Sequence, residues 1–267
     1  MTRIGCLFDR LRREGRKALI AYLTAGDPTP ERTPALVEAL VRGGADLIEL
    51  GVPFSDPIAD GPVIQRAGER ALKAGTTLSR VLEIAVEIRR HCEVPLLLFT
   101  YLNPVMRYGL ERLGQDAARA GIDGCLLTDA SVEEAGGYVA AMHAHGLDTV
   151  FLAAPTSTER RIRLVAQYST GFVYLVSRTG VTGERDSISS AVRPLVENVR
   201  RVTSLPLAVG FGISRPEHVA EMGVLVDAVA VGSAYVRLIE RNLDNPSLEI
   251  QLESFTRELK HGFGAQA

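Results

Sequence analysis

Eight short apolar runs, each followed by a longer amphipathic stretch, set the narrowest limit on how this chain can fold. The runs are "ALIAYL" (18–23), "DLIEL" (46–50), "PLLLFT" (95–100), "DGCLLT" (123–128), "DTVFLA" (148–153), "GFVYLV" (171–176), "PLAVGF" (206–211) and "DAVAVG" (227–232). They are continuous rather than alternating, as parallel strands covered on both faces require. Between them, "PALVEALVRGGA" places Leu36, Leu40 and Val41 on one helical face and stops at Gly43-Gly44. "LSRVLEIAVEIRRH" repeats Leu78, Val81, Leu82, Ala85 and Ile88 at helical spacing and ends in a basic turn that suits the helix dipole. Several strands are introduced by an aspartate: "GGADLIEL", "AGIDGCLL", "HGLDTVFL" and "VLVDAVAV". Eight βα units predict an α/β fold, a single (β/α)8 TIM barrel, with the segment before Ala18 as an extra N-terminal helix packed on it. A doubly wound open sheet is the alternative. It usually has fewer strands, and its nucleotide-binding form requires G-x-G-x-x-G after the first strand, where this chain reads "TAGDPTPE". With no linker or compositional break in 267 residues, the whole of 1–267 reads as one barrel domain, frayed after about Phe263.

Composition narrows the function classes. The formal net charge is −2, which gives no basic surface for a polyanion, so nucleic acid is not an expected partner. The N-terminus "MTRIGCLFDRLRREGRK" scatters charges through what a signal peptide would keep apolar. No stretch approaches the roughly 20 apolar residues of a membrane span, so no membrane is expected either. Cys6, Cys92 and Cys125 are far apart, odd in number and without C-x-x-C, which fits reduced thiols in a cytoplasmic protein.

In a barrel, chemistry belongs at the C-terminal ends of the strands and in the βα loops. Glu49 lies close to the end of strand 2, among leucines. A carboxylate buried there either pairs with a hydroxyl or an arginine, as a structural glutamate, or keeps its proton and moves it near neutral pH. Its place at the barrel mouth favours the second reading. Asp60, in "ADGPVIQ", is either a turn residue before a helix opened by Pro62 or a second carboxylate able to accept a hydrogen bond from a ligand N–H. Together they predict a Glu49 carboxyl with a raised pKa from desolvation beside an ionised Asp60. "SRTGVTGERDSISS" (177–190) is a long loop after strand 6 with Thr182 between Gly180 and Gly183, read either as a lid or as an ordinary mobile loop. "VGFGIS" after strand 7 and "VGSA" after strand 8 put glycines ahead of helix N-termini, in the two loops where barrels hold phosphate. The five histidines fall in predicted helices, helix ends or the tail. That disfavours a histidine metal centre or a Ser-His-Asp triad, so no metal is expected. These residues read as a metal-free barrel acting on a phosphorylated small molecule by carboxylate acid–base catalysis.

"ELGVPFSDPIADGPVIQRA", with "YLTAGDP" before it and "YLNPVMRYG", "VSRTGVTGERDSIS", "GFGISRPE" and "VGSA" after it, resembles the tryptophan synthase alpha chain over essentially the whole length and in order. The resemblance implies a lyase that cleaves indole-3-glycerol phosphate to indole and glyceraldehyde 3-phosphate in tryptophan biosynthesis. It implies no cofactor in this chain and a pyridoxal-phosphate-dependent beta chain as partner in an αββα tetramer. By residue, it implies Glu49 as general acid and base, Asp60 as the carboxylate on the indole N–H, and Thr182 as the loop threonine that orders them. Gly183, Gly212, Gly232 and Ser233 match the phosphate cradle. Tyr22, Phe99, Tyr101, Leu126, Thr128, Leu152 and Tyr174 match the lining of the indole and glycerol pocket, and Pro53, Asp56 and Asn103 the beta-chain contact. The chain departs from the family at "DASVEE", where Ser131 replaces a proline and loosens the loop at the beta-chain contact, and at Thr128, which replaces a small apolar residue. The alternatives are a stand-alone indole-3-glycerol phosphate lyase, a sugar-phosphate epimerase (which wants metal-binding histidines at strand ends) and a non-catalytic regulatory subunit.

Overall fold

The computed structural model describes residues 2–176, 188–210 and 212–264. The eight apolar runs become β1 (Ala18–Thr24), β2 (Leu47–Gly51), β3 (Leu96–Thr100), β4 (Gly124–Leu127), β5 (Asp148–Ala153), β6 (Val173–Val176), β7 (Leu207–Gly210) and β8 (Ala228–Val231). Each strand pairs in parallel with the next, and β8 pairs with β1, closing the barrel. The helices form the outer layer, as both-face burial of the strands demands. Leu36 and Leu40 are buried on the helix Thr33–Arg42, which stops at Gly43 and a Gly44 with φ +106°, a left-handed conformation that glycine adopts without strain.

Alternate residues on each strand face inward and make a second buried cluster inside the barrel. The predicted N-terminal helix, Arg3–Arg13, contributes Ile4, Leu7, Phe8 and Leu11 to that inner cluster. Phe8 packs on Phe172 at a centroid distance of 5.7 Å, and Phe172 on Tyr174 at 6.2 Å, so an aromatic column runs from this helix to the ligand end. Sealing the N-terminal end leaves the C-terminal mouth as the end where the inward side chains can meet a ligand.

The aspartate before each of three strands has a common purpose. Asp46, Asp123 and Asp227 each donate a backbone N–H to the carbonyl of Leu19, Leu96 and Leu207, and their carboxylates accept the N–H of the same three residues at 2.7, 2.9 and 2.8 Å. The side chain thereby satisfies an amide at the start of the neighbouring strand, within its first two residues. Each carboxylate then meets a cation from the helical layer or the N-terminal segment: Lys260 on Asp46, Arg89 and Arg3 on Asp123, Arg200 on Asp227. Asp148 differs, accepting from the hydroxyls of Thr2 and Thr170.

Candidate active site

Position on β2 explains why a strand of leucines carries Glu49. The inward face of β2 is Leu47, Glu49 and Gly51, level with Tyr22 on β1 and Leu97 on β3. Glu49 is 1 % exposed, and its Oε1 has no hydrogen-bond partner among the described residues. Among the described residues no cation offsets this burial. Desolvation alone pushes the carboxyl from 4.5 up to about 8, so it holds a proton at neutral pH. The structural-glutamate reading, which required a hydroxyl or arginine partner, finds no support on Oε1.

Asp60 lies beyond β2, one residue before Gly61, which caps the helix Pro62–Lys73 with Pro62 in its first turn. It is half-buried. Burial raises its carboxyl to about 6, while a hydrogen bond from Tyr101 to the ionised form pulls the other way. The expectation that Asp60 stays ionised therefore holds above about pH 6. The Tyr101 hydroxyl also accepts the Ala59 N–H at 3.2 Å, fixing the polar loop that carries Asp60.

Tyr22, Phe99, Leu126, Leu152 and Tyr174 all belong to the inner cluster or pack against it. Tyr22 meets Phe99 edge-on at 5.3 Å. Burial, reinforced by the Asp60 carboxylate, holds the Tyr22 hydroxyl protonated, and burial does the same for Tyr174. Both hydroxyls lie against backbone that only glycine can supply. A Cβ on Gly51 would come within 2.2 Å of the Tyr22 hydroxyl, and one on Gly210 within 2.1 Å of the Tyr174 hydroxyl. Sequence reasoning missed both glycines, whose only signal was their place at strand ends. Tyr101 packs against Phe54 with tilted rings at 5.3 Å, and the Thr128 hydroxyl donates to the Thr100 carbonyl at 3.2 Å. The departure at Thr128 thus places its polar atom on backbone.

Two of the predicted loop glycines, Gly212 and Gly232, lie among the described residues. Gly212 has φ +82°, where a side chain would be strained. Gly232 caps the helix Ser233–Glu240 with no side-chain hydrogen bond, leaving the first amides of that helix for an anion. Thr182 and Gly183 lie outside the described residues. Pro53 is buried, whereas Asp56 and Asn103 are exposed on the loop after β2 and the helix Leu102–Tyr108. Cys125 is buried in the outer layer, its thiol pushed up to about 12, which makes it a packing residue. No group of three or more potential metal ligands occurs among the described residues.

This fold and this site define a class: a (β/α)8 barrel whose mouth sets a protonated carboxyl and an ionisable one around an aromatic pocket, beside a helix N-terminus without a side-chain cap. A family model described as tryptophan synthase alpha chain matches residues 8–263. A tryptophan synthase alpha chain of Solibacter usitatus is 81% identical over 267 residues, the full length of both chains. That of Geobacter sulfurreducens is 47% identical over 264 residues, covering 99% of this chain and 100% of the relative. Among solved structures, the tryptophan synthase alpha subunit of Legionella pneumophila superposes with a TM-score of 0.90 at 35% identity, covering 98% of each chain. A chain of Mycobacterium tuberculosis tryptophan synthase superposes with a TM-score of 0.89 at 38% identity, again over 98% of each. The chain belongs to the tryptophan synthase alpha chain family.

Proposed function

We propose that this chain cleaves indole-3-glycerol phosphate to indole and glyceraldehyde 3-phosphate, as the alpha subunit of tryptophan synthase. The observation that carries the chemistry is Glu49: a buried carboxyl with an unpartnered oxygen, protonated at neutral pH, facing an aromatic pocket. Such a group is an acid in search of a base. Glu49 protonates C3 of the indole ring, which breaks the aromaticity and places a positive charge on the indolenine. Asp60 accepts the ring N–H and stabilises that charge. Glu49, now a carboxylate in a dry site, takes the proton of the side-chain hydroxyl next to the ring. The electron pair of the breaking C–C bond returns to the ring, and indole and the aldehyde form. Glu49 ends the cycle with a proton, as it began.

Tyr22, Phe99, Tyr101, Leu126, Thr128, Leu152 and Tyr174 would hold the ring and glycerol chain. Gly212, Gly232 and Ser233 would hold the phosphate, with Gly183 completing the cradle and Thr182 ordering the two carboxylates. The sequence requires no cofactor for these steps; pyridoxal phosphate belongs to the partner. A beta chain docking on Pro53, Asp56 and Asn103 in an αββα assembly is supported by two exposed apolar side chains on the same segments, Ile58 at 82% and Met106 at 57%. Among the described residues no helix is long and apolar enough to cross a membrane. The scattered reduced thiols support a cytoplasmic setting.

The deciding assay is indole release from indole-3-glycerol phosphate by wild type and Glu49→Gln, with and without a tryptophan synthase beta chain. Turnover that rises with the beta chain and disappears in the variant is the expected result. Equal turnover of the variant would overturn the role of Glu49, and a rate indifferent to the beta chain would point to a stand-alone lyase.

A further inference from the structure

Asp27, in the loop after β1, is 1 % exposed and sits outside the pocket described above. Burial pushes its carboxyl up, and Arg70 beside it pulls it back down. Arg70 grips it with two hydrogen bonds, Nε to Oδ1 at 2.7 Å and Nη2 to Oδ2 at 2.9 Å. The third nitrogen of the same guanidinium, Nη1, donates to Glu240 Oε1 at 3.0 Å. Arg66, one turn earlier on the same helix face, closes on Glu240 with two more bonds at 2.7 and 2.8 Å. The loop bearing Asp27 is itself pinned: the Gly26 N–H donates to Thr33 Oγ1 at 2.9 Å, and a Cβ on Gly26 would strike Thr76 Oγ1 at 2.0 Å.

The two helices joined by these charges are the two that begin at the proposed site. Pro62–Lys73 starts two residues after Asp60, and Ser233–Glu240 starts at the proposed phosphate seat. Glu240 is the last residue of its helix, and Ala67 and Val236, one from each helix, both join the buried inner cluster. The charges therefore tie the end of one rigid rod to the middle of the other, and through Asp27 to the loop after β1, while the two rods start beside Asp60 and at the anion-binding amides. A fork of this kind needs arginine; a lysine supplies one point charge and cannot hold both carboxylates in fixed geometry.

We propose that Arg70, gripping Asp27 and Glu240, is a positioning residue that sets the span between the Asp60 carboxylate and the phosphate seat at Gly232 and Ser233. The proposal rests on the functional reading above. A substrate with a ring at one end and a phosphate at the other must fit both seats at once, so an error in the span costs turnover. Indole alone, or glycerol 3-phosphate alone, needs only one seat and does not sense the span.

Glu240→Gln removes the charge that joins the two helices and leaves Asp27 and Arg70 paired; Arg70→Lys removes the fork. Both are compared with wild type, as full chains with a tryptophan synthase beta chain supplied. The readouts are kcat/KM for indole-3-glycerol phosphate and the separate Kd values of indole and glycerol 3-phosphate. The expected result is a fall in kcat/KM of about ten- to a hundredfold with both half-ligand affinities within about twofold of wild type. If Arg70→Lys does not fold, Glu240→Gln decides alone, since that change leaves the buried Asp27 paired with Arg70. A kcat/KM within twofold of wild type in folded Glu240→Gln would overturn the proposal, as would half-ligand affinities that fall in step with kcat/KM. Absence of indole release by the wild type would instead overturn the functional reading and this role with it.

Discussion

Replacing Glu49 with glutamine changes the pH dependence of stability in a way that tests the buried proton directly, without substrate. Moving the carboxyl from 4.5 to about 8 corresponds to about 5 kcal/mol, gathered at about 1.4 kcal/mol for each pH unit between those values. The sign follows from which state binds the proton. Folded Glu49 holds it up to about pH 8, whereas the unfolded chain releases it near its ordinary value. Its contribution is thus most favourable in acid and is lost as pH rises through the folded value; at pH 7 burial of this group costs about 3 kcal/mol. Glutamine has nearly the same shape and cannot ionise. The stability of Glu49→Gln minus that of wild type is therefore expected to climb by about 1.4 kcal/mol per pH unit from pH 5 to 8 and to level off above.

The new amide N–H2 finds no acceptor opposite the unpartnered Oε1, which adds a cost of about 1–3 kcal/mol. That cost is the same at every pH, so the slope carries the test and the offset does not. Asp60, Asp27 and Asp148, all raised by burial, are present in both proteins and cancel in the difference. Urea unfolding followed by circular dichroism at pH 6, 7, 8 and 9 supplies the numbers. Parallel stability profiles for the two proteins would refute the reasoning: Glu49 would then be ionised in the folded chain, and the acid in the proposed mechanism would have to be another group.

The remaining predictions concern turnover and packing. With Asp60 near 6 and Glu49 near 8, kcat/KM should rise with pH as Asp60 ionises and fall as Glu49 loses its proton, giving a bell read from initial rates between pH 5 and 9. Asp60→Asn should remove the acid limb and lower kcat/KM by about a hundredfold, the loss typical of one stabilising group at a developing charge. Gly51→Ala should displace the Tyr22 ring and cost about 1–3 kcal/mol in urea unfolding. Tyr22→Phe should recover only part of that loss, because the ring carbon Cζ would still lie 2.6 Å from the new methyl.

What could be read from the sequence was whatever depends on neighbours along the chain. Strand limits agree within two residues because continuous apolar runs need both faces covered. Glu49 stood out because a carboxylate among leucines is costly wherever they fold. What could not be read depends on which residues meet across the barrel. "TAGDP" follows the first apolar run, but nothing within it says that Asp27 will be buried against Arg70, and nothing near Glu240 says that it completes the same cluster. Gly51 and Gly210 look like ordinary strand-end glycines until the tyrosine of an adjacent strand is placed beside each. The aspartate that introduces several strands was visible as a repeated phrase, yet its purpose, accepting an amide at the start of the neighbouring strand, requires the register.

The two carboxyls of the site have the same chemistry and different protonation states at neutral pH, one neutral and one negative, and depth is what separates them. Glu49 is on the strand itself, inside the wall, where desolvation acts without opposition. Asp60 is on the loop above it, half in water, with a tyrosine hydroxyl supporting its ionised form. A ligand that fills the mouth changes this balance unevenly. Glu49 is already dry and loses nothing further, but Asp60 loses its water and would be driven toward protonation unless the ligand returns a donor. An indole N–H returns one, and the positive charge that follows protonation of the ring returns more. The pair is therefore set to favour a ligand that brings a proton donor to Asp60 and a proton acceptor to Glu49, and to disfavour one that brings only bulk.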